Sequence, residues 1–387
     1  MRGIRLGSLF GIPIRLGVTF LLVLPLFAWL IGSDVGNLAG LLNRTLAPAT
    51  TLNAGALVDG SLRWLLGTAA AVGLFVCILF HEFGHSLVAI RYGYGIESIT
   101  LWLFGGVARF EETPENWRHE LLVALAGPVV SVALGAVGYA AFLAVPVGRD
   151  PIRFLAGYLA LMNVALAAFN MLPGFPMDGG RVLRALLARS RSHARATQIA
   201  AEVGKGFAFL LGIAGLFTNL WLIALAFFIY IGASSEAQQT VMKAAFEGVS
   251  VADVMTGQRA LQTVAPGTSV AELMERMFAE RHTGYPVVDD GRLVGMVTLD
   301  DAREVRDVER DAYTVAEVMS REVASVTPEA DAMDALQRMR SEDVGRLPVI
   351  DTNGDLVGII SRTDLMTAFD IIQSTGSTES VQRSRAV

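Results

Sequence analysis

Six stretches of this chain are apolar and long enough to cross a bilayer, near residues 16–33, 63–91, 120–145, 152–172, 197–217 and 219–240. About 20 helical residues span the hydrocarbon, so the pattern predicts a polytopic α-helical membrane domain with six transmembrane helices. Between the second and third runs the period changes. Residues 99–110 read as two short β-like runs around a Gly105-Gly106 turn, too short to span. A re-entrant β-hairpin fits, and non-helical backbone is tolerated at membrane depth only where it lines protein or a watery cavity. The hairpin is therefore expected beside whatever site the helices enclose; a plain interfacial loop is the alternative. The fourth run breaks at 170–181, where Pro173, Pro176, Gly174, Gly179 and Gly180 cannot continue a helix.

Beyond residue 245 the membrane pattern stops and an internal repeat of about 63 residues begins. Val251-Ala252-Asp253-Val254-Met255 matches Val315-Ala316-Glu317-Val318-Met319, Gly284-Tyr285-Pro286 matches Gly345-Arg346-Leu347, and Leu293-Val294-Gly295 matches Leu356-Val357-Gly358. Each unit alternates amphipathic helices (270–280, 330–341) with short β-branched strands, which predicts an α/β tandem. The expected divisions are a membrane domain at 1–245, repeat units at 249–306 and 313–370, and a tail at 371–387. That tail is rich in Ser and Arg, without periodicity, and is expected to be disordered.

Charge sharpens the division. Hydrophobic residues make up 53% and charged ones 18%, below the roughly 25% charged of soluble domains. Residues 1–245 carry 17 Lys/Arg and 12 Asp/Glu (net +5), whereas 246–387 carry 14 and 25 (net −11). The soluble part is the acidic part and no basic stripe exists, so nucleic-acid binding is excluded as an expectation. Arginines also orient the spans. The N-terminus (Arg2, Arg5, Arg15), the second-to-third connection (Arg91, Arg109, Arg118) and the fourth-to-fifth (Arg181, Arg184, Arg189, Arg191, Arg195) share one side, which the positive-inside rule makes cytoplasmic. Both termini are then cytoplasmic in a multi-pass plasma-membrane protein, with 34–62 and 146–151 on the far side. Arg2, Arg5 and the run after Leu16 imitate a signal peptide, but no convincing cleavage site follows, and the run reads as a first span.

Within the second span stands His81-Glu82-Phe83-Gly84-His85. Ionisable groups at membrane depth cost several kcal/mol unless partnered, so such a cluster marks a functional site. On a helix His81 and His85 share a face one turn apart, which suits two imidazoles converging on zinc, while Glu82 can reach a metal-bound water as general base. His81 precedes Arg91 by ten residues, hence lies about 15 Å from the cytoplasmic helix end at about 1.5 Å per residue. Two histidines leave zinc short of a third protein ligand, and Asp178, in the unwound part of the fourth run, is the best-placed acid. His119 and His193 sit in arginine-containing loops and read as solvated. Cys77, the single cysteine, shares the His81 face and is a conceivable fourth ligand, although packing is the ordinary role for a lone buried thiol. Gly127, Ser131 and Gly135, at four-residue spacing, read as a close-packing face rather than as chemistry.

These motifs resemble the site-2 protease family of intramembrane zinc metalloproteases, in its branch with a C-terminal CBS pair. His81-Glu82-Phe83-Gly84-His85 matches the first family motif, and Asn-x-x-Pro-x-x-Pro-x-Asp-Gly, beginning at Asn170, matches the second. The resemblance implies His81, His85 and Asp178 as ligands of one zinc per chain, Glu82 as catalytic base, and Asn170 as a residue that holds substrate or oxyanion. It further implies single-span, membrane-anchored regulatory proteins as substrates. In CBS-like units, Thr298 and Asp301 and their counterparts Ser361 and Asp364 resemble contacts to the phosphate and ribose of an adenine nucleotide. The same residues also suit helix capping, with the CBS pair serving as a homodimer contact. The rival readings are a CBS-regulated membrane transporter and a catalytically inactive scaffold.

Overall fold

The computed structural model describes residues 3–46, 51–102, 105–110, 114 and 116–375. It divides into two units, 1–238 and 239–387. The first begins with strands β1 (Gly3–Leu9) and β2 (Ile12–Gly17), then helices α1 (Phe20–Thr45), α2 (Ala54–Leu57) and α3 (Leu62–Arg91). Strands β3 (Ile96–Trp102) and β4 (Gly105–Phe110) lead to α4 (Trp117–Ala144), α5 (Asp150–Asn170), α6 (Asp178–Ala188), α7 (His193–Phe217) and α8 (Leu220–Ala245). Among the described residues six helices, α1, α3, α4, α5, α7 and α8, have the length and hydropathy of membrane spans.

The helices meet through small residues, as apolar helices in lipid must, since backbones can approach closely only where side chains are absent. Gly67 of α3 lies against Ala28 and Gly32 of α1, and Gly135 and Gly138 of α4 lie against Ala160 of α5. One end of the bundle is filled by Leu42, Leu57, Phe142, Phe154 and Tyr158, all buried.

Two expectations need correction here. The first span was expected at 16–33, yet α1 runs on to Thr45. Ser33 and Asp34 do not stop it, because Asp34 pairs within the helix with Asn37 (2.6 Å), and Val35, Ala39 and Leu42 continue a buried stripe. Residues 16 and 17 belong instead to β2, in an N-terminal hairpin that the hydrophobic pattern did not reveal. Its two-residue turn, Phe10-Gly11, has positive φ at both positions (53° and 80°), the form whose twist matches that of paired strands.

The expected hairpin at 99–110 is present, but it is half of a four-stranded sheet of order β1-β2-β3-β4, in which β2 and β3 run parallel. Gly105 and Gly106 are not its turn: Trp102 pairs with Gly105 and Leu101 with Gly106, so both glycines are strand residues, and the connection at 103–104 lies outside the described residues. β4 is an edge strand.

The second unit contains α9 (Val251–Val254), β5 (Thr256–Gly257), α10 (Val270–Glu280), β6 (Gly284–Asp289), β7 (Arg292–Thr298) and α11 (Leu299–Glu304). Then follow α12 (Val315–Val318), α13 (Ala332–Ser341), β8 (Arg346–Ile350), β9 (Leu356–Ser361) and α14 (Arg362–Thr375). The two repeats interlock: Val251 and Ala252 donate to the Ala330 and Pro328 carbonyls, and Val315 and Ala316 donate to those of Thr268 and Pro266. The strand register moves the repeat by one residue from its sequence match. Gly284 faces Thr298 and Arg346 faces Ser361, so Arg346 stands where the first repeat has Gly284, with Pro286 and Pro348 equivalent. The division between units falls inside α8, because its last turn, Met242 and Ala245, packs into the core of the second repeat. α14 covers the first five residues of the expected tail, and 376–387 lie outside the described residues.

Candidate metal centre

α3 carries the histidines from Leu62 to Arg91 without a break, so His81 and His85 project from one face. α5 ends at Asn170, the prolines and glycines that follow allow no helix, and α6 restarts at Asp178. Gly179 and Gly180 make that restart possible, because a Cβ on either would strike the backbone of the 171–175 turn. Asp178 is thereby turned inward. Among the described residues one group of His, Cys, Asp and Glu side chains could hold a metal ion: His81, His85 and Asp178. All three are buried, at 3%, 4% and 8% exposure.

The donors form a nearly equilateral triangle. His81 Nε2 to Asp178 Oδ2, His85 Nε2 to Asp178 Oδ2, and His81 Nε2 to His85 Nε2 are each 3.2 Å. Tetrahedral zinc with bonds of about 2.0 Å places its ligands about 3.3 Å apart, so the donor set and spacing fit zinc and leave one coordination position for water or substrate. The outer ring nitrogens are held as well. His85 Nδ1 lies 2.7 Å from the Val123 carbonyl, which can only accept, so Nδ1 carries the proton and Nε2 presents its lone pair inward. His81 Nδ1 lies 2.8 Å from Ser131 Oγ, an arrangement compatible with the same tautomer.

Both supports come from α4, and this corrects the reading of Gly127, Ser131 and Gly135 as a packing face alone. Gly135 does pack against α5, but Ser131 orients His81, and Gly127 faces the imidazoles themselves: a Cβ there would stand 2.7 Å from His81 Nε2 and closer still to His85 Nε2. The i, i+4 spacing was visible in the sequence; its target was not.

Glu82 points to the sheet. Its Oε2 accepts the Ala108 N–H at 3.2 Å, and a Cβ on Gly106 would lie 2.5 Å from Glu82 Cγ, so β4 runs against the carboxylate and needs glycine to do so. The structure brings Asn170 to the C-terminus of α5, half-buried, its Nδ2 donating to Leu166 O at 3.0 Å. Cys77 is buried but outside the candidate cluster. His119 is not simply solvated: it stacks on Tyr92 at 4.3 Å between centroids and meets Tyr94 Oη at 3.1 Å. Nor is His193, whose Nε2 lies 3.8 Å from Glu120 Oε2.

In the second unit the four candidate ligand residues form two matching capping boxes. Thr298 N–H and Oγ1 donate to Asp301 Oδ2 (2.7 and 2.6 Å), and Ser361 N–H and Oγ donate to Asp364 Oδ2 (2.9 and 2.7 Å). Arg346 bridges the repeats, donating to Gly284 O at 2.7 Å and Thr283 Oγ1 at 3.1 Å. Burial pulls its guanidinium below the ordinary arginine value, against the opposing pull of Asp364.

The chain is similar to known proteins over nearly its whole length. The Peptidase family M50 model matches residues 69–148 and 147–212, and the CBS domain model matches 251–307 and 315–371. A zinc metalloprotease of Methanocaldococcus jannaschii is 33% identical over 96% of this chain and 97% of its own. A CBS domain-containing protein of Bacillus subtilis, YhcV, is 41% identical over 30% of this chain and 82% of its own. The solved structure of a site-2 protease from Methanocaldococcus jannaschii is 34% identical, covering 61% of this chain and 95% of that one, with a TM-score of 0.42. Six helices long and apolar enough to span, a buried two-histidine and one-aspartate cluster with a glutamate next in sequence, and 33% identity to a zinc metalloprotease over nearly the whole chain converge: the chain belongs to peptidase family M50, the intramembrane zinc metalloproteases of the site-2 protease type, here with a C-terminal CBS pair.

Proposed function

We propose that His81, His85 and Asp178 hold the zinc, that Glu82 is the catalytic base, and that the enzyme cuts single-span regulatory proteins within or near their membrane segment. The observation that carries this reading is the 3.2 Å donor triangle with Glu82 next in sequence to one of its members. Zinc, when bound, acidifies a coordinated water toward pKa 7 and polarises the scissile carbonyl. The remaining work falls to the chain. Glu82 takes a proton from the attacking water and returns it to the departing amide nitrogen as the C–N bond breaks, so that water is added across the peptide bond. Asn170, eight residues before Asp178 in the sequence, steadies the substrate or its developing oxyanion.

A helical substrate hides its carbonyls in intrahelical bonds and must be unwound first. The edge of β4 that is left unpaired by strands among the described residues offers the means: a peptide added there as a further strand lies along backbone that faces Glu82. The reading also includes cytoplasmic N- and C-termini, from the arginine distribution, and an adenine nucleotide at Thr298, Asp301, Ser361 and Asp364 of the CBS pair, which modulates access to the protease. Nucleotide binding requires the capping boxes to share their hydroxyls and carboxylates with phosphate and ribose. A homodimer through the CBS pair is the second reading of that domain. The test is capture: cells carrying Glu82→Gln should accumulate membrane-anchored fragments that remain uncut within the apolar segment and that the wild type removes by cutting there. An unchanged membrane fragment pattern would overturn the substrate reading.

A further inference from the structure

Arg184 lies six residues beyond Asp178 on α6 and is 7% exposed. Its Nε donates to Glu120 Oε1 at 2.6 Å, its Nη1 to Glu236 Oε1 at 2.5 Å, and its guanidinium lies over the Phe175 ring, 5.0 Å from the centroid. These partners come from three places. Glu120 is in the first turn of α4 and itself 4% exposed, Glu236 is on α8, and Phe175 is in the unwound segment three residues before Asp178.

A buried charge pair is a poor device for stability alone, since desolvation offsets most of the attraction. What a guanidinium offers here is fixed geometry: a planar fork that holds two carboxylates at set angles, which an ammonium cannot reproduce. The geometry is needed, because the metal triangle is assembled from two separately held parts. α4 orients both histidines, through Val123 O and Ser131 Oγ, whereas Asp178 rides on α6, an 11-residue helix that follows an irregular turn and is too short to span. The Arg184–Glu120 pair joins those two parts directly.

We infer that Arg184 is the positioning residue for Asp178: by pairing with Glu120 it registers α6 on α4, so that the carboxylate stays within reach of both imidazoles. The inference rests on the reading of Asp178 as a zinc ligand. The full chain, purified in detergent, tests it through two readouts, the rate of zinc loss to a chelator and the visible spectrum of the Co²⁺-loaded protein. The variants are Asp178→Ala, Arg184→Gln, Arg184→Lys and, as a control for general loosening, Arg153→Gln. Arg153 is 2% exposed at the opposite end of α5, 17 residues from Asn170 and so about 25 Å away along the helix.

Arg184→Gln is expected to speed zinc loss about 10- to 100-fold and to alter the cobalt spectrum, Arg184→Lys to recover part of both, and Arg153→Gln to change neither. If Arg184→Gln does not accumulate, Glu120→Gln removes the anchor charge and reads the same link. Zinc loss and spectrum at wild-type values in Arg184→Gln, with Asp178→Ala stripped, would overturn the inference and leave the ligand reading standing. Retention of zinc by Asp178→Ala would remove the ligand reading and the inference with it. Equal acceleration in Arg184→Gln and Arg153→Gln would show a bundle-stabilising role only, and would also overturn it.

Discussion

Replacing Gly127 by Ala separates the metal centre from the fold that carries it. On propensity alone the substitution favours α4, since alanine is better than glycine in a helix interior by about 1 kcal/mol. At the site it does the opposite. The new Cβ, fixed to the backbone, would stand 2.7 Å from His81 Nε2 and nearer to His85 Nε2. Restoring ordinary contact at about 3.4 Å moves the His81 donor by at least about 0.7 Å, whereas a metal site tolerates roughly 0.2 Å in its ligand distances. The rings cannot swing aside freely, because Ser131 and Val123, which hold them, sit on the same helix as the intruding methyl. Zinc retention should therefore fall at least 10- to 100-fold.

The assay is zinc content after chelator washing, set beside thermal unfolding of the metal-free wild type and variant. The metal-free forms are the proper comparison, because zinc binding by itself raises apparent stability. Metal-free Gly127→Ala should still fold but melt somewhat earlier than metal-free wild type, because crowding the held rings costs about 1–3 kcal/mol against the helix gain of about 1 kcal/mol. Full zinc retention, or a metal-free form that no longer folds, would refute the argument.

Further outcomes follow from the neighbouring contacts. Ser131→Ala removes the partner of His81 Nδ1 and should weaken zinc about tenfold with the fold intact, read by chelator competition. Gly106→Val should push the Glu82 carboxylate away from β4, leaving zinc content at wild type while cleavage of a single-span substrate falls by about 10² or more. In the CBS pair, Thr298→Ala and Ser361→Ala each delete a helix cap and should cost about 1 kcal/mol by denaturant unfolding; calorimetry with ATP, ADP and AMP on the full chain should show weakened binding for Asp301→Ala and Asp364→Ala. Cysteine labelling in sealed vesicles should place residues 53–60 outside and the CBS pair inside.

Much of this architecture is legible because it is written locally. A span declares itself by length, His81 and His85 by helical spacing, and the CBS pair by repetition. What escaped depends on partners distant in sequence. β1 and β2 carry too few residues to stand out from an arginine-bearing head, and their pairing with β3 is fixed only in three dimensions. In the sequence Glu120 is simply an acid at a helix start, where a negative charge is favourable; its buried pair with Arg184, 64 residues on, could not be read from either neighbourhood. Ser131 supports His81 across 50 residues. Gly105 and Gly106 looked like a turn because glycine usually marks one, whereas both are strand residues and Gly106 makes room for Glu82. The sequence match aligns the repeats on their glycines, but the strand registers make Pro286 and Pro348 equivalent, which displaces Arg346 by one position.

The central claim is that one buried zinc centre and Glu82 together cut peptide bonds in the membrane. Wild type and Glu82→Gln, reconstituted in liposomes with a single-span substrate and measured in parallel for zinc content and for cleavage, test it most directly. The account predicts one zinc per chain in both, with cleavage in the wild type and almost none in the variant, because an amide cannot accept the proton of water. Substantial cleavage by Glu82→Gln, or cleavage by wild-type protein that persists after all zinc has been removed, would contradict it.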